Sequence, residues 1–177
     1  MAPIISTLIF CGTHDVAIRG STADTVNFSD LLKFRVKAGD VVLVEHLKSS
    51  GVKAKYTSHM IQNELIFICG NLICNQILNE VNNCKYFSIL ADEAADISGT
   101  EQLSIGFRFV DKDLNVREEF LGFTPLKKLK AEDIARAILS TTRDIYNLNM
   151  SKLVGLGFDG CSTMAGKENG VQKLIRD

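Results

Sequence analysis

Two aspartates, Asp92 and Asp159, have the residue type and the sequence setting of divalent-cation ligands. Asp92 follows the short apolar run 86–91, and Asp159 follows the apolar segment 153–158, so we expect each aspartate to end a β-strand. Carboxylate oxygens are hard ligands that suit Mg²⁺ or Mn²⁺, and shared carboxylates can hold two such ions for phosphodiester transfer. The alternative interpretation is structural, since Asp and Asp-Gly are ordinary turn residues.

The hydrophobic pattern around the two aspartates predicts the elements that position them. Apolar residues alternate with polar or small ones over 103–109, a turn follows at 111–115, and residues 116–123 form a third strand. Helical spacing returns over 131–145 before the last strand. A strand that follows a helical crossover lies parallel to an earlier strand. We therefore predict an α/β sheet in the strand order three, two, one, four, with both aspartates at the edge where strands one and four end.

Residues 1–84 are predicted to form an N-terminal helical region, and residues 85–177 the sheet domain. Asn27 is expected to cap a short helix, Asp40 to open a second, and a long helix to run over 57–82. Apolar residues recur every three or four positions along the long helix, which predicts a wide buried stripe. This stripe consists of Ile61, Leu65, Ile68, Leu72, Ile73, Ile77 and Val81.

The overall composition excludes several classes of protein. With 20 basic and 21 acidic side chains in 177 residues, the net charge of −1 argues against an autonomous nucleic-acid clamp. Five cysteines without a CxxC motif argue against a disulfide framework or a structural zinc site. The pattern predicts neither a signal peptide nor a membrane span.

Two further motifs have both a functional and a structural interpretation. The glycines Gly155, Gly157 and Gly160 match GxGxxG, the pattern of a dinucleotide-binding turn, but the first two fall inside the predicted strand 153–158. A nucleotide-binding module is therefore a weaker hypothesis than strand packing. The basic residues Lys127, Lys128 and Lys130 precede a helix and are either a solvated face or a phosphate contact.

Longer motifs resemble a known family. The segment 86–98 (YFSILADEAADIS), with 101–105 (EQLSI) and 119–123 (EFLGF), resembles the domain of unknown function found in hAT-superfamily transposase-like proteins. The segment 157–166 (GFDGCSTMAG) is similar to a second motif of that family. Further similarities upstream, such as 55–58 (KYTS) and 61–64 (IQNE), extend the resemblance over almost the whole chain.

The resemblance implies a partial RNase H-like domain after the N-terminal helices. Asp92 and Asp159 take the positions of the first two catalytic acids of a DDE triad, and Asp96 resembles a further acid four residues after the first. Thr163 departs from the family, which usually has Asn there, and residues 21–24 differ as well. In hAT transposases the third acid lies far downstream of a helical insertion, so we expect it to be absent from this chain, which ends at Asp177.

These implications lead to two functional hypotheses. The first is a transposon-derived fragment without catalysis of its own, acting as a relic or interaction module in the nucleus. The second is the amino-terminal part of an active DDE transposase. In either case Asp92 and Asp159 are expected to hold Mg²⁺ or Mn²⁺ weakly. We expect DNA as a partner only in a longer protein, protein partners at apolar surface left exposed by truncation, and no membrane.

Overall fold

The computed structural model describes residues 1–20, 26–51, 54–95, 97–166 and 169–176, which form two compact units, Met1–Leu72 and Ile73–Asp177. The first unit contains the helices α1 (Ala2–Thr13), α2 (Asn27–Lys37) and α3 (Val41–Ser49). Helix α4 (His59–Asn83) contributes residues to both units. The predicted domain boundary after residue 84 stays a prediction. None of the helices within the described ranges is long and apolar enough to cross a membrane.

The first unit has its own small core and a half-buried arginine that connects its helices. Its buried hydrophobic core residues come from α1, α2 and α3, and Arg35 on α2 connects these three helices. The Arg35 guanidinium donates hydrogen bonds to the Pro3 carbonyl (3.0 Å) and to the carboxylate of Asp40 (2.7 and 3.0 Å). The core residues are Ile4, Leu8, Phe28, Leu32 and Leu43.

The predicted helix starts in this unit are partly confirmed. Asp40 caps α3, because its carboxylate accepts the backbone N–H of Leu43 at 3.0 Å. The prediction that Asn27 caps a helix is wrong: Val26 is the residue before α2, and the Asn27 side chain donates instead to the Ala17 carbonyl at 2.7 Å. Asn27 thus ties the chain before α2 to the start of the helix.

The predicted buried stripe along α4 is wrong in its middle. Ile77 and Val81 are buried in the core of the second unit, and Leu65 packs on the core of the first. Between them, however, Ile68, Leu72 and Ile73 are exposed, with Leu72 at 65%. The physical reason is that each unit packs only against its own end of this long helix, although the apolar periodicity continues through both.

The second unit is built on a four-stranded mixed sheet in the order β3-β2-β1-β4, which confirms the predicted strand order. The strands are β1 (Phe87–Ala95), β2 (Glu101–Val110), β3 (Val116–Pro125) and β4 (Leu153–Gly157). β1 and β2 are antiparallel, as are β2 and β3, while β4 is parallel to β1. The helix α5 (Ala131–Leu139), the π-helical turn Ser140–Ile145 and the short 3-10 helix Met150–Lys152 connect β3 to β4. The short helices α6 (Ser162–Ala165) and α7 (Val171–Arg176) follow β4.

One face of this sheet carries the main core. Alternate residues of β1 and β2 pack with the carboxyl-terminal end of α4 and with α5, α6 and α7. Phe87 and Phe107 meet edge to face, with ring centroids 5.7 Å apart. Arg117 on β3 pairs with Glu80 on α4 and with Glu119, which ties the helix to the sheet. The α/β architecture with a helical N-terminus is therefore confirmed.

Candidate functional site

The register between β1 and β4 brings Asp92 and Asp159 to one edge of the sheet. The last residues paired between these parallel strands are Leu90 and Gly157, and each aspartate lies two residues further along its own chain. Neighbouring strands are ~5 Å apart, so the two aspartates occupy equivalent positions on adjacent chain segments. The prediction that Asp92 ends a strand is wrong, because β1 continues to Ala95 and Asp92 pairs with Ser104 of β2. Asp159 lies beyond β4, which ends at Gly157. Both aspartates line one open cavity of about 500 Å³. The structure thus places the two sequence-predicted residues together.

Both aspartates are exposed and available to a ligand. Asp159 Oδ1 accepts a long hydrogen bond from the Cys161 backbone N–H at 3.4 Å. Asp92 receives the Ser104 hydroxyl on its backbone carbonyl at 3.0 Å, and its carboxylate has no hydrogen-bond partner in the described part of the chain. Two solvated carboxylates at one cavity suit a hard divalent cation that keeps several water ligands.

A third acid, Glu93, contributes to the electrostatics of this edge. The alternation along β1 places Glu93 opposite Leu103, on the face away from Asp92, as the sequence indicates. Glu93 is half-buried, and burial raises its pKa, with further contributions from the negative charges of Asp159, Glu101 and Asp92. Within the described ranges, however, no three His, Cys, Asp or Glu side chains lie close enough to hold one metal ion. Asp96 lies outside the described residues.

The glycine motif has a packing role at this site. Gly155 and Gly157 lie inside β4, as predicted, rather than in a phosphate-binding turn. A Cβ atom on Gly155 would come within 2.6 Å of Ser88 Oγ, and one on Gly157 within 2.6 Å of Leu90 Cδ2. The glycines therefore make room for side chains of β1, which supports the strand-packing interpretation.

The basic residues Lys127, Lys128 and Lys130 lie at the same edge of the sheet. They belong to the connection between β3 and α5, and the backbone N–H of Leu126 donates to the Glu101 carbonyl at 2.8 Å, at the start of β2. All three lysines are exposed, and none has an ion pair within the described residues.

Two aromatic residues that the sequence analysis did not single out lie beside the aspartates. Phe120 lines the same cavity, and Phe123 lies next to it with ring centroids 5.0 Å apart. Their side chains are 56% and 59% exposed. Strict alternation would put these two residues on opposite faces. The register shift at Ile105 and Gly106 leaves Leu121 as an extra residue in β3, which turns Phe123 to the face of Phe120.

Comparisons with known proteins agree with this architecture. The family model "ZMYM1/FAM200, RNase-like domain" (DUF4371) matches residues 3–170. The human 52 kDa repressor of the inhibitor of the protein kinase is 32% identical over 168 residues, which are 90% of this chain and 22% of that protein. The cattle general transcription factor II-I repeat domain-containing protein 2 is 29% identical over 109 residues, 62% of this chain and 11% of that protein. No solved structure is significantly similar.

The family model matches nearly the whole chain, which shows the family that this chain belongs to. It includes the N-terminal helices, the whole sheet and both aspartates, so it covers the elements as well as the candidate site. The chain spans about a fifth of the length of the 52 kDa repressor, at 22%. The chain belongs to the ZMYM1/FAM200 RNase-like domain family, a family of transposase-derived domains.

Proposed function

We propose that this chain is a transposase-derived domain that keeps a weak divalent-cation site at Asp92 and Asp159 but does not cut DNA on its own. The observation that carries the proposal is the position of these two aspartates, each two residues past the last pair of the parallel strands β1 and β4 and both lining one open cavity. In place of catalysis, the domain acts as a relic or interaction module within a longer protein. DNA is a partner of that longer protein.

The donor set supports one cation rather than two. Asp92 and Asp159 would hold Mg²⁺ or Mn²⁺, and the bound ion would relieve the repulsion between their two negative charges. The chemistry that such an ion would supply is polarisation of a phosphoryl oxygen and a lower pKa for a water ligand. Two-metal phosphoryl transfer needs further ligands to hold the ions ~3.5–4 Å apart. Glu93 faces away from Asp92, so it is a poor candidate for the shared ligand.

The relatives support a nuclear role. Their names describe a repressor and a transcription-factor repeat protein. We therefore infer that this domain works in the nucleus. Its net charge of −1 offers few phosphate contacts, which is the reason for assigning DNA binding to the longer protein.

Metal binding is tested with Mn²⁺ on the whole chain. The parent protein is expected to bind Mn²⁺ in electron paramagnetic resonance titrations, and Asp92→Asn and Asp159→Asn are each expected to weaken binding at least about tenfold, because each removes one of two charged ligands. Asp113→Asn is the matched control, since Asp113 is an exposed carboxylate in the turn between β2 and β3, at the other end of the sheet. Equal binding by all four proteins would show that Asp92 and Asp159 do not hold the ion, and the proposal would be wrong.

Catalysis is tested on supercoiled plasmid with Mn²⁺ or Mg²⁺. We expect no nicking or strand transfer by this chain, because the described acids do not complete a two-ion site. The competing function, the amino-terminal part of an active DDE transposase, is favoured by the retained pair of acids. Nicking by the parent that disappears in both Asp92→Ala and Asp159→Ala would establish that function and refute the proposal.

A further inference from the structure

The lysine directly before α5 has a sequence setting that no other lysine of the chain shares. Lys130 follows the large apolar residue Leu129, and an acid, Glu132, comes two positions after the lysine. None of the other twelve lysines in the sequence has an acid at that spacing. An apolar residue, a lysine, any residue and an acid, in this order, form the tetrapeptide that the conjugating enzyme of small ubiquitin-like modifiers recognises directly. Residues 129–132 therefore have the sequence of a modification site.

The three side chains that such an enzyme contacts are all exposed. Leu129 is 49% exposed, and Lys130 and Glu132 are exposed as well. Neither of these two charged side chains has an ion pair within the part of the chain that the structure describes. The next acid, Asp133, is instead paired with Arg136 at 3.3 Å. An enzyme can therefore contact the leucine, the lysine and the glutamate without first breaking an ion pair.

The backbone at Lys130 is extended, which suits recognition of the segment as a peptide. Lys130 has φ −81° and ψ 142° and is the last residue before the helix. No side chain caps this end of α5, and the first N–H groups of a helix have no acceptor within it. The Lys130 carbonyl accepts the N–H groups of Asp133 (2.9 Å) and Ile134 (3.0 Å). Opening the first turn to fit an enzyme cleft therefore breaks only bonds of an exposed, uncapped helix end.

We propose that Lys130 is a conjugation site for a small ubiquitin-like modifier. The co-reactant is the thioester that joins the C-terminal glycine of the modifier to a cysteine of its conjugating enzyme. The neutral amine at Lys130 Nζ attacks the thioester carbonyl, a C–N bond forms, the C–S bond breaks, and the cysteine leaves as a thiolate. The proton lost from Nζ passes to water, and nothing is oxidised or reduced. The product is an isopeptide bond, so the positive charge of the lysine is lost.

This modification goes beyond the proposed function and does not depend on it. Lys130 lies in the connection between β3 and α5, whereas the proposed cation ligands are Asp92 and Asp159. Attack on the thioester requires neither an ion at these aspartates nor DNA. The two proposals can therefore fail separately.

The first experiment locates the conjugated lysine. The whole chain is incubated with the modifier, its activating enzyme, an excess of the conjugating enzyme, Mg²⁺ and ATP. The parent is expected to give one slower band on a denaturing gel, and tandem mass spectrometry should find the glycine-containing remnant of the modifier on Lys130. Lys130→Arg is expected to abolish this band. The matched control is Lys128→Arg, since Lys128 is also exposed but has no acid two positions later.

The second experiment tests the role of the acid. Glu132→Gln should lower the initial rate of conjugation at least about fivefold, because it removes a charge that the basic surface of the enzyme contacts. Glu132→Asp keeps the charge and should keep most of the rate. Asp133→Asn is the matched control, since both acids lie in the first turn of α5, where negative charge stabilises the helix, but only Glu132 has the required spacing. Circular dichroism checks that every variant is folded.

Three results would overturn the proposal. The first is no conjugation of the parent, and the second is an undiminished band in Lys130→Arg. The third is an equal loss of rate in Glu132→Gln and Asp133→Asn, which would show that the acid acts through the stability of the helix. A chain that carries both Asp92→Asn and Asp159→Asn should be conjugated at the parent rate, so this result separates the modification from the metal site.

Discussion

At the scale of single residues, Asp40 shows how one carboxylate serves two purposes. It caps α3 through the Leu43 N–H and pairs with Arg35, which in turn holds the Pro3 carbonyl of α1. The hydrogen bond from Leu43 and the Arg35 guanidinium, in that order, hold the pKa of Asp40 below its ordinary value. The folded state therefore stabilises the charged form of Asp40.

This lowered pKa predicts an acid-sensitive first unit. Because the folded pKa lies below the unfolded one, the unfolded state binds the proton first, and the stabilisation present above about pH 4 is lost as the pH falls through the folded pKa. Asp40→Asn keeps the cap but removes the charge. In denaturant unfolding below about pH 4, the free energy of unfolding of this variant should fall less with decreasing pH than that of the parent. An identical pH profile in both proteins would contradict the prediction.

At the scale of elements, α4 shows that apolar residues at helical spacing are not all buried. Ile77 is 6% exposed within the core of the second unit, whereas Leu72 on the same stripe is 65% exposed. Apolar residues at helical spacing can form a buried stripe, but the hydrophobic effect rewards only those whose surface leaves water. The stripe of α4 is therefore stabilising at its ends and not in its middle.

The two positions should respond differently to truncation. Ile77→Ala is expected to lower the free energy of unfolding by ~2–5 kcal/mol, the usual range for a buried aliphatic residue. Leu72→Ala should change it by less than about 0.5 kcal/mol, as expected for an exposed position away from special features. Denaturant titrations of both variants measure the difference. A cost above about 2 kcal/mol for Leu72→Ala would mean that this part of the helix is covered in solution.

At the scale of the whole molecule, balanced charge and exposed apolar side chains act together. The chain has a net charge of −1 and a sequence pI of about 6.3. Large apolar side chains are exposed on α2, α4 and β3, such as Phe34, Phe67 and Phe120. With little net charge to keep copies apart, contacts between such side chains favour association.

Solubility should therefore pass through a minimum near the pI. Static light scattering is expected to show most association around pH 6.3 and less at about pH 8, where the net negative charge is larger. Added salt should reduce this difference, because it screens repulsion between copies. Equal scattering at the two pH values would show that net charge does not control association of this chain.

The strand order and the placement of Asp92 and Asp159 at one edge of the sheet could be predicted from sequence, because both follow from local patterns. Alternation over 103–109 marks a strand, and the helical segment before β4 implies a parallel crossover. The family resemblance was also available from the motifs around the two aspartates, and the family match over residues 3–170 confirms it. The catalytic and metal roles of these aspartates stay predictions.

Tertiary structure decided what pattern alone leaves open. The apolar periodicity predicts that Leu72 and Ile77 are both buried, but only Ile77 is. Periodicity shows which residues share a helix face and does not show which neighbours cover that face. Likewise, alternation separates Phe120 from Phe123, and only the extra residue Leu121 in the pairing of β2 with β3 brings the two rings together. A bulge is a property of two strands in register, so the residues of one strand do not specify it.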